Sequence, residues 1–417
     1  MLAKLARLPL WQRNLIAISF AQILCILAFQ ASIMLVPYYV QEMGMTDMAQ
    51  VGAWTGLYQS LGGVGFAIFT PIWGILGDRH GRKVMLVRAI IGTMVMLFLM
   101  GFARTPTQLL VLRAIQGCVT GTPAAASALL ATSSPKNRLA YSLGLQQTAL
   151  FVGMSLGPMV GGFIADLVNY RATFYVSAFI VLLALIAVAW LVREPEETAA
   201  NMVQARQRSA LGGFRQLLGQ PALVALIGTS LAVNLTFGLL GPVMPLFIQQ
   251  LVVNQDRLAS TAGTVTGLAA ISAAISALVV GRLSDRVGNR KILIGCSAGA
   301  ALLYIPQALA RSVVGLGAAL SVQGLFRGGI APNINAMVVR SVSKEQTGSA
   351  LGLSSSAASI GFAIGPLIGA AVLAASSARA VFWVAAGIFA LVAVVLSFIN
   401  SRETRAALQP QEASPKA

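Results

Sequence analysis

The chain has 417 residues, 57% of them hydrophobic and only 10% charged, with 41 glycines and a formal net charge of +17. A charged fraction so far below the ~25% of soluble domains excludes a soluble globular fold and implies a chain that crosses a membrane repeatedly. The basic excess does not imply nucleic acid, which would need a basic face with aromatics outside the membrane, and no loop is long enough to build one.

An apolar run of about 20 residues spans the hydrocarbon core. Such runs predict helices near 14–40, 51–76, 84–103, 106–131, 139–164 and 172–192, then near 221–250, 259–282, 291–311, 313–337, 347–374 and 379–399. The expected fold is an all-α polytopic membrane protein of twelve transmembrane helices in two pseudo-symmetric six-helix bundles, over residues 1–194 and 221–402. Between them, 195–220 reads as a cytoplasmic linker. Its later part, with Leu211, Phe214, Leu217 and Leu218 at helical spacing, is either a helix lying on the membrane lipid or a plain tether. Residues 403–417 form a polar cytoplasmic tail. The apolar run after Lys4, Arg7 and Arg13 is too long for a signal-peptide core and stays as the first span.

With Met1 placed in the cytoplasm, five basic residues fall outside (Arg104, Arg171, Arg257, Arg311 and Arg379) and two lie within spans (Arg113 and Arg327). The other twenty-two of the 29 Lys and Arg occupy the termini and alternate loops. That positive-inside bias places both termini in the cytoplasm, as in a multi-pass protein of a bacterial inner membrane. Cys25, Cys118 and Cys296 all sit in apolar runs and are expected as free, buried thiols.

The two halves are copies of one plan. Gly74-Ile75-Leu76-Gly77-Asp78-Arg79-His80-Gly81-Arg82-Lys83 returns as Gly281-Arg282-Leu283-Ser284-Asp285-Arg286-Val287-Gly288-Asn289-Arg290-Lys291, with Asp78 and Asp285 separated by 207 residues. At an offset of 207 or 208, Pro37 answers to Pro245, Gln116-Gly117 to Gln323-Gly324, Gly144 to Gly352, Gly157-Pro158 to Gly365-Pro366, Arg171 to Arg379 and Phe174 to Phe382. Both G-x-L-x-D-R-x-G stretches read as tight charged turns between membrane helices. Pro37 in helix 1, and Pro242 and Pro245 in helix 7, should bend those helices near their outer ends. Helix breakers at matching places in two repeats point to a central site that opens alternately to each side.

Arg113 is the sharpest single residue, because an arginine within a span costs about 2.5–3.5 kcal/mol on insertion scales and faces a cavity or a partner. Snorkelling to the outer surface is the plainer alternative. Arg327 has no counterpart in the first half, where Val119 occupies its register, and the position matching Arg113 is Leu320. It would sit deeper, where Asn333 and Asn335 could share a polar cavity with it; a substrate or counter-ion role and a structural pairing with carbonyls both fit. In helix 5, Gly153, Gly157 and Gly161 share one face and let a neighbour approach closely, with Pro158 adding a bend and Gly162 following; Gly361, Gly365 and Gly369 repeat the seam in helix 11.

These motifs resemble those of the major facilitator superfamily, and the resemblance covers nearly the whole chain. Arg113-Ala114-Ile115-Gln116-Gly117 is similar to the superfamily's R-x-x-q-G motif. The run from Gly153 to Gly162 is similar to the g-x-x-x-G-P-x-x-G-G antiporter motif of its twelve-span drug:proton antiporter family. The resemblance implies a role for Arg113 in proton coupling or in holding the central site, with a seam in helix 5 that shapes the cavity and limits leakage. It also implies a gate in which the turn of Gly74, Asp78, Arg79, Gly81 and Arg82 docks near Gly348. The turn of Gly281, Asp285, Arg286 and Gly288 would dock near Ala140, and the two contacts would hold an outward-open state.

None of the 12 acids falls clearly inside a span, so Glu42, Asp78 or Asp166 would have to carry protons at a cavity mouth. A cavity without fixed negative charge favours neutral or amphipathic molecules, or anions near the arginines, over multiply charged cations. Its candidate lining is Gln22, Phe29 and Gln30 in helix 1, Gln146, Gln147 and Phe151 in helix 5, and Asn234 and Phe237 in helix 7, beside Arg113 and Gln116. The single histidine, His80, leaves no nucleophile–base pair, and no metal-ligand cluster is evident, so an enzyme is not expected. The expected protein is a monomeric efflux transporter of small amphipathic compounds that needs no cofactor and exchanges them for protons down the proton gradient. A dedicated exporter or importer of one metabolite (a sugar, amino acid or organic anion) is the alternative on the same fold.

Overall fold

A computed structural model describes residues 9–194, 219–343 and 346–398. Twelve helices in it are long and apolar enough to cross a membrane, and the described residues contain no strand. Helix 1 comprises Leu10–Ile33 and Val36–Glu42, helix 2 Met48–His80, helix 3 Arg82–Gly101, and helix 4 Pro106–Val119 and Thr122–Ser133. Helices 5 and 6 follow at Leu139–Leu167 and Tyr170–Leu191. In the second half helix 7 comprises Pro221–Leu240 and Val243–Leu251, helix 8 is Leu258–Val287, helix 9 Asn289–Ala308, and helix 10 Val313–Arg327 and Ile330–Arg340. Helices 11 and 12 are Thr347–Ala375 and Ala378–Phe398. The linker's helical stretch and the tail lie outside the described residues.

The prolines act as expected. Helix 1 breaks at Met34–Leu35 just before Pro37, and helix 7 at Gly241–Pro242, positions that match at an offset of 207. Two further breaks depart from the expected continuous spans. Helix 4 is interrupted at Thr120–Gly121, where Gly121 takes φ +135°, and helix 10 at Gly328–Gly329. Gly121 and Gly328 also match at 207, so all four inner helices of the two repeats are broken in register.

The charged stretches are not loops. Helix 2 runs through His80 and helix 3 starts at Arg82, so the connection is Gly81 alone (φ +95°, ψ 140°); helices 8 and 9 are joined in the same way by Gly288 (φ +98°, ψ 134°). That backbone region is open only to glycine at low cost, and a side chain at either position would strain the connection. In the first repeat the Glu194 carboxylate accepts from the backbone N–H of Arg82 (2.8 Å) and of Lys83 (3.1 Å), capping the start of helix 3 with the end of helix 6. In the second, Arg290 donates instead to the carbonyls of Leu396 (3.2 Å) and Ser397 (2.7 Å) at the end of helix 12.

The glycine seams bring helix 5 onto helix 1 and helix 11 onto helix 7. A Cβ on Gly157 would stand 2.7 Å from the Leu27 carbonyl oxygen, and Gly153 and Gly161 lie against Ile23–Ile26 and Ala31. Gly361, Gly365 and Gly369 lie in the same way against Leu231, Leu235 and Leu239. Lipid tails are as apolar as these side chains, so close approach of small residues, rather than water exclusion, is what holds such pairs.

Candidate functional site

Among the described residues, the contacts between the two bundles lie on one side of the membrane. Towards the face opposite the Gly81 and Gly288 turns, Gly52, Gly56 and Gly63 of helix 2 meet Leu373, Pro366 and Ala363 of helix 11, and Gly162 and Pro158 of helix 5 meet Ala259 and Gly263 of helix 8. Polar bonds close that end. The Tyr38 hydroxyl donates to the Pro245 carbonyl (2.7 Å), and Gln41 and Gln249 exchange amide bonds of 3.0 and 2.9 Å across the pseudo-twofold. Asp166 accepts from the backbone N–H of Ala259 (3.1 Å) and Ser260 (2.8 Å), capping helix 8 from the other bundle. At the turn face Gly74, Gly144, Gly281, Gly348 and Gly352 have open space beside them. The cavity between the bundles therefore opens at the turn face and is sealed at the far face. The gate contacts expected at Gly348 and Ala140 rest on Asp78 and Asp285, whose side chains, like that of Ala140, lie outside the described ones.

Arg113 is buried, at 5% exposure, and turned into the first bundle. Its Nη1 donates to Gln116 Oε1 (2.6 Å), its Nε to the Tyr58 carbonyl (3.4 Å), and its guanidinium carbon lies 4.9 Å from the centre of the Phe29 ring and 5.0 Å from that of Tyr58. Gly62 makes the room, since a Cβ there would meet the guanidinium. The snorkelling alternative is thereby set aside. Arg113, Gln116 and Phe29 come together inside the first bundle, and Tyr58 and Gly62 are partners that no motif announced.

Arg327 repeats the theme from a different sequence position. It stacks on Phe237, 3.6 Å from Cζ to the ring centre, and Phe237 matches Phe29 at an offset of 208. Asn333 is buried and its amide nitrogen donates to the Gly329 carbonyl (2.6 Å), whereas Asn335, two residues on and so on another face of the helix, is exposed.

The remaining candidates divide. Gln22 and Gln146 are buried but committed to the broken part of helix 4: Gln22 donates to the Thr122 carbonyl (2.8 Å) and Gln146 to the Pro123 carbonyl (3.2 Å). Asn234 donates to Ser230 of its own helix (2.9 Å). Gln30 packs on Gly157, Phe151 is half-buried, and Gln147 is exposed. Cys25 and Cys296 are buried free thiols, and Cys118 is a half-buried one.

The carbonyls freed at the helix 4 break are taken up by a pair that the reading of the sequence missed. Trp73 Nε1 donates to the Cys118 carbonyl (2.6 Å) and Arg88 Nη1 to the Val119 carbonyl (3.0 Å), with the Arg88 guanidinium stacked 3.5 Å from the centre of a Trp73 ring. Arg88 lies within helix 3, so it is a third arginine at membrane depth beside the two expected. A cavity of about 150 Å³ lies between helices 2, 3 and 4 against this pair.

Comparison with known proteins agrees with this architecture. The sequence profile of the Major Facilitator Superfamily matches residues 18–305 and 258–417. The multidrug resistance protein MdtG of Rahnella sp. (strain Y9602) is 32% identical over 376 residues, 90% of each chain, and that of Klebsiella pneumoniae (strain 342) 32% over 407 residues, 97% of each. This chain belongs to the major facilitator superfamily. Solved structures share the superfamily fold: that of a mutant of the nucleoside transporter NupG has a TM-score of 0.78 at 14% identity, covering 92% of this chain and 99% of that one. A bacterial homologue of the human lysosomal transporter Spinster, solved inward-facing and occupied, has a TM-score of 0.73 at 16% identity, covering 96% and 97%. As a facilitator-superfamily protein the chain is a multi-pass membrane transporter, not an enzyme, and its likeness to MdtG-type proteins agrees with the motifs in helices 4 and 5.

Proposed function

We propose that this chain exports small amphipathic compounds across the bacterial inner membrane by alternating access, in exchange for protons. The observation that carries the reading is the one-sided contact between the bundles. The face rich in Lys and Arg, which the positive-inside rule assigns to the cytoplasm, is the open one, so the cavity stands ready to load from the cytosol. Export then requires the Tyr38–Pro245, Gln41–Gln249 and Asp166–helix 8 contacts to part while the turn-face ends close. The relatives' name, multidrug resistance protein, supports a broad amphipathic substrate range.

Among the described acid side chains at the far face, Asp166 bonds across the two bundles. Tyr38 of helix 1 and Tyr170 of helix 6 face its carboxylate, Asp256 and Arg257 flank the helix start it caps, and Glu42 is the next acid of the same face. The Asp166 carboxylate holds two backbone N–H groups of the opposite bundle, a contact that opening of the far face must break. The test is growth of pump-deficient cells against a panel of unrelated dyes and antibiotics, comparing the intact chain, Arg113→Gln and empty vector. Protection against several compounds, abolished by collapsing the proton gradient and by the substitution, is expected. Protection against none, with the protein present in the membrane, would refute multidrug export.

A further inference from the structure

We propose that Arg327, backed by Phe237, is the recognition point for an anionic group on the transported molecule, so that the preferred substrates are amphipathic monoanions such as carboxylates or sulfonates. The inference rests on the transporter reading and adds to it the charge of the cargo. Arg113 and Arg327 both stack on equivalent phenylalanines, yet their donors fare differently. Arg113 spends its guanidinium on Gln116 and Tyr58. Arg327 makes no hydrogen bond and no ion pair among the described residues, and none of its nitrogens is sealed from solvent. No described carboxylate approaches it. The nearest ionisable group is the Tyr304 hydroxyl, a neutral donor on helix 9.

An arginine within a span that lacks an internal acceptor costs the fold energy that something else must offset. Phe237 covers one face of the guanidinium, which leaves the in-plane fork of N–H donors directed away from the ring. That geometry matches a carboxylate or sulfonate edge-on and gives nothing to an ammonium ion. Arg327 closes the upper segment of helix 10, fourteen residues from its start at Val313, and so stands about 21 Å from the sealed face at 1.5 Å per residue. It is therefore nearer the open mouth than Arg113, seven residues into helix 4, and meets a cytosolic molecule first. The first repeat has Val119 in its place, so the duplication alone does not require the charge.

The test uses the purified full chain in lipid nanodiscs and three probes of one shape: pyrenebutyrate, pyrenebutanol and pyrenebutylammonium. Equilibrium dialysis against empty nanodiscs removes the contribution of lipid partition. The intact protein should hold the butyrate at least tenfold more tightly than the alcohol, and the ammonium no better than the alcohol. Arg327→Gln should abolish the preference while leaving alcohol binding within about twofold, and Arg327→Lys should retain part of it. A butyrate-to-alcohol ratio near one in the intact protein, or one that survives Arg327→Gln, overturns the inference. Modification of the intact protein by phenylglyoxal, read by mass spectrometry at Arg327, covers the case of a misfolded variant: protection by the butyrate and not by the alcohol is expected, and equal or no protection overturns it. Efflux of the same probes from cells separates the two ideas. Expulsion of the alcohol with no anion preference keeps the exporter and removes the role of Arg327, whereas expulsion of none removes the exporter reading and leaves binding to decide on Arg327.

Discussion

Replacing Asp166 by Ala should unlock the far face. The carboxylate receives two backbone N–H groups, of Ala259 and Ser260, from the opposite bundle. Hydrogen bonds to a charged acceptor are worth about 1.5–3 kcal/mol each, and because Asp166 is only half-buried the pair together is better set near 1.5–3 kcal/mol. Both bonds exist only while helices 5 and 8 are in register, so their loss falls on the sealed state and not on the outward-open one. At about 1.4 kcal/mol per factor of ten, the ratio of the two states moves by roughly ten- to a hundredfold. Thr266 reports this movement, since it lies on helix 8 behind the seal with its hydroxyl 3.3 Å from Met34 Sδ of helix 1.

In a background with Cys25, Cys118 and Cys296 replaced by Ala, a cysteine substituted for Thr266 should react slowly with a membrane-impermeant maleimide applied from outside. Asp166→Ala should raise that rate about tenfold or more, normalised to the denatured protein. An unchanged rate in Asp166→Ala would refute the assignment of the outer lock.

Other outcomes follow from individual contacts. Gly62→Ala places a methyl group about 2.5–2.6 Å from Cζ and Nη2 of Arg113, so it should displace the guanidinium and reproduce the transport loss of Arg113→Gln at normal expression, as measured by dye efflux. Gly157→Val overfills the seam between helices 1 and 5 and should lower stability by about 1–3 kcal/mol, read as a lower Tm in detergent. Trp73→Phe removes only the indole donor to the Cys118 carbonyl and should cost about 0.5–1.5 kcal/mol, whereas Trp73→Ala also strips the face on which Arg88 rests and should cost more; the Tm difference between the two checks this. Gly288→Ala forces a side chain into φ +98° and should cost about 1–3 kcal/mol, while Gly281→Ala, with open space beside it, should be near neutral in the same assay.

The sequence made the scaffold plain because membrane spans and their duplication leave strong one-dimensional marks. Apolar length placed all twelve helices, and the 207-residue register tied the prolines of helix 1 to those of helix 7. Long-range partners leave no such mark. Nothing at Trp73 and Arg88 announces that they meet across two helices at a break in a third, because Gly121 lies in an unremarkable run of small residues. The side-chain faces of Gln147 and Asn335 were equally hidden, since a rotation of one residue about a helix turns a side chain by about 100° and an almost uniformly apolar span gives no periodicity to fix it. One contact was recoverable: Gln41 and Gln249 are a like pair at an offset of 208 at the mouth of the expected bends, and a pseudo-twofold axis brings such a pair face to face.

Where the two repeats agree, the residues build the frame; where they differ, they make it directional. The seams, the one-glycine turns, the four breaks and the two phenylalanine platforms recur in both halves, and a transporter made only of these would treat the two ends of its bundles alike. Asp166 answers to Ala374, so a carboxylate bridges the bundles at helix 8, whereas the start of helix 2 is capped by its own Asp47, which accepts from the Ala49 N–H (3.1 Å). Trp73 and Arg88 answer to Val280 and Gly295, so the helix 4 break is clamped by a tryptophan–arginine pair, whereas at helix 10 the Ser276 hydroxyl donates to the Leu325 carbonyl, which stands in the register of Cys118. Arg113 and Arg327 stack on equivalent rings from registers two turns apart, which sets their charges at different depths along one cavity. The far face is held by the Asp166 contact, and a molecule entering at the turn face meets the uncommitted arginine first. The departures from the duplication therefore give the pathway its two distinct ends.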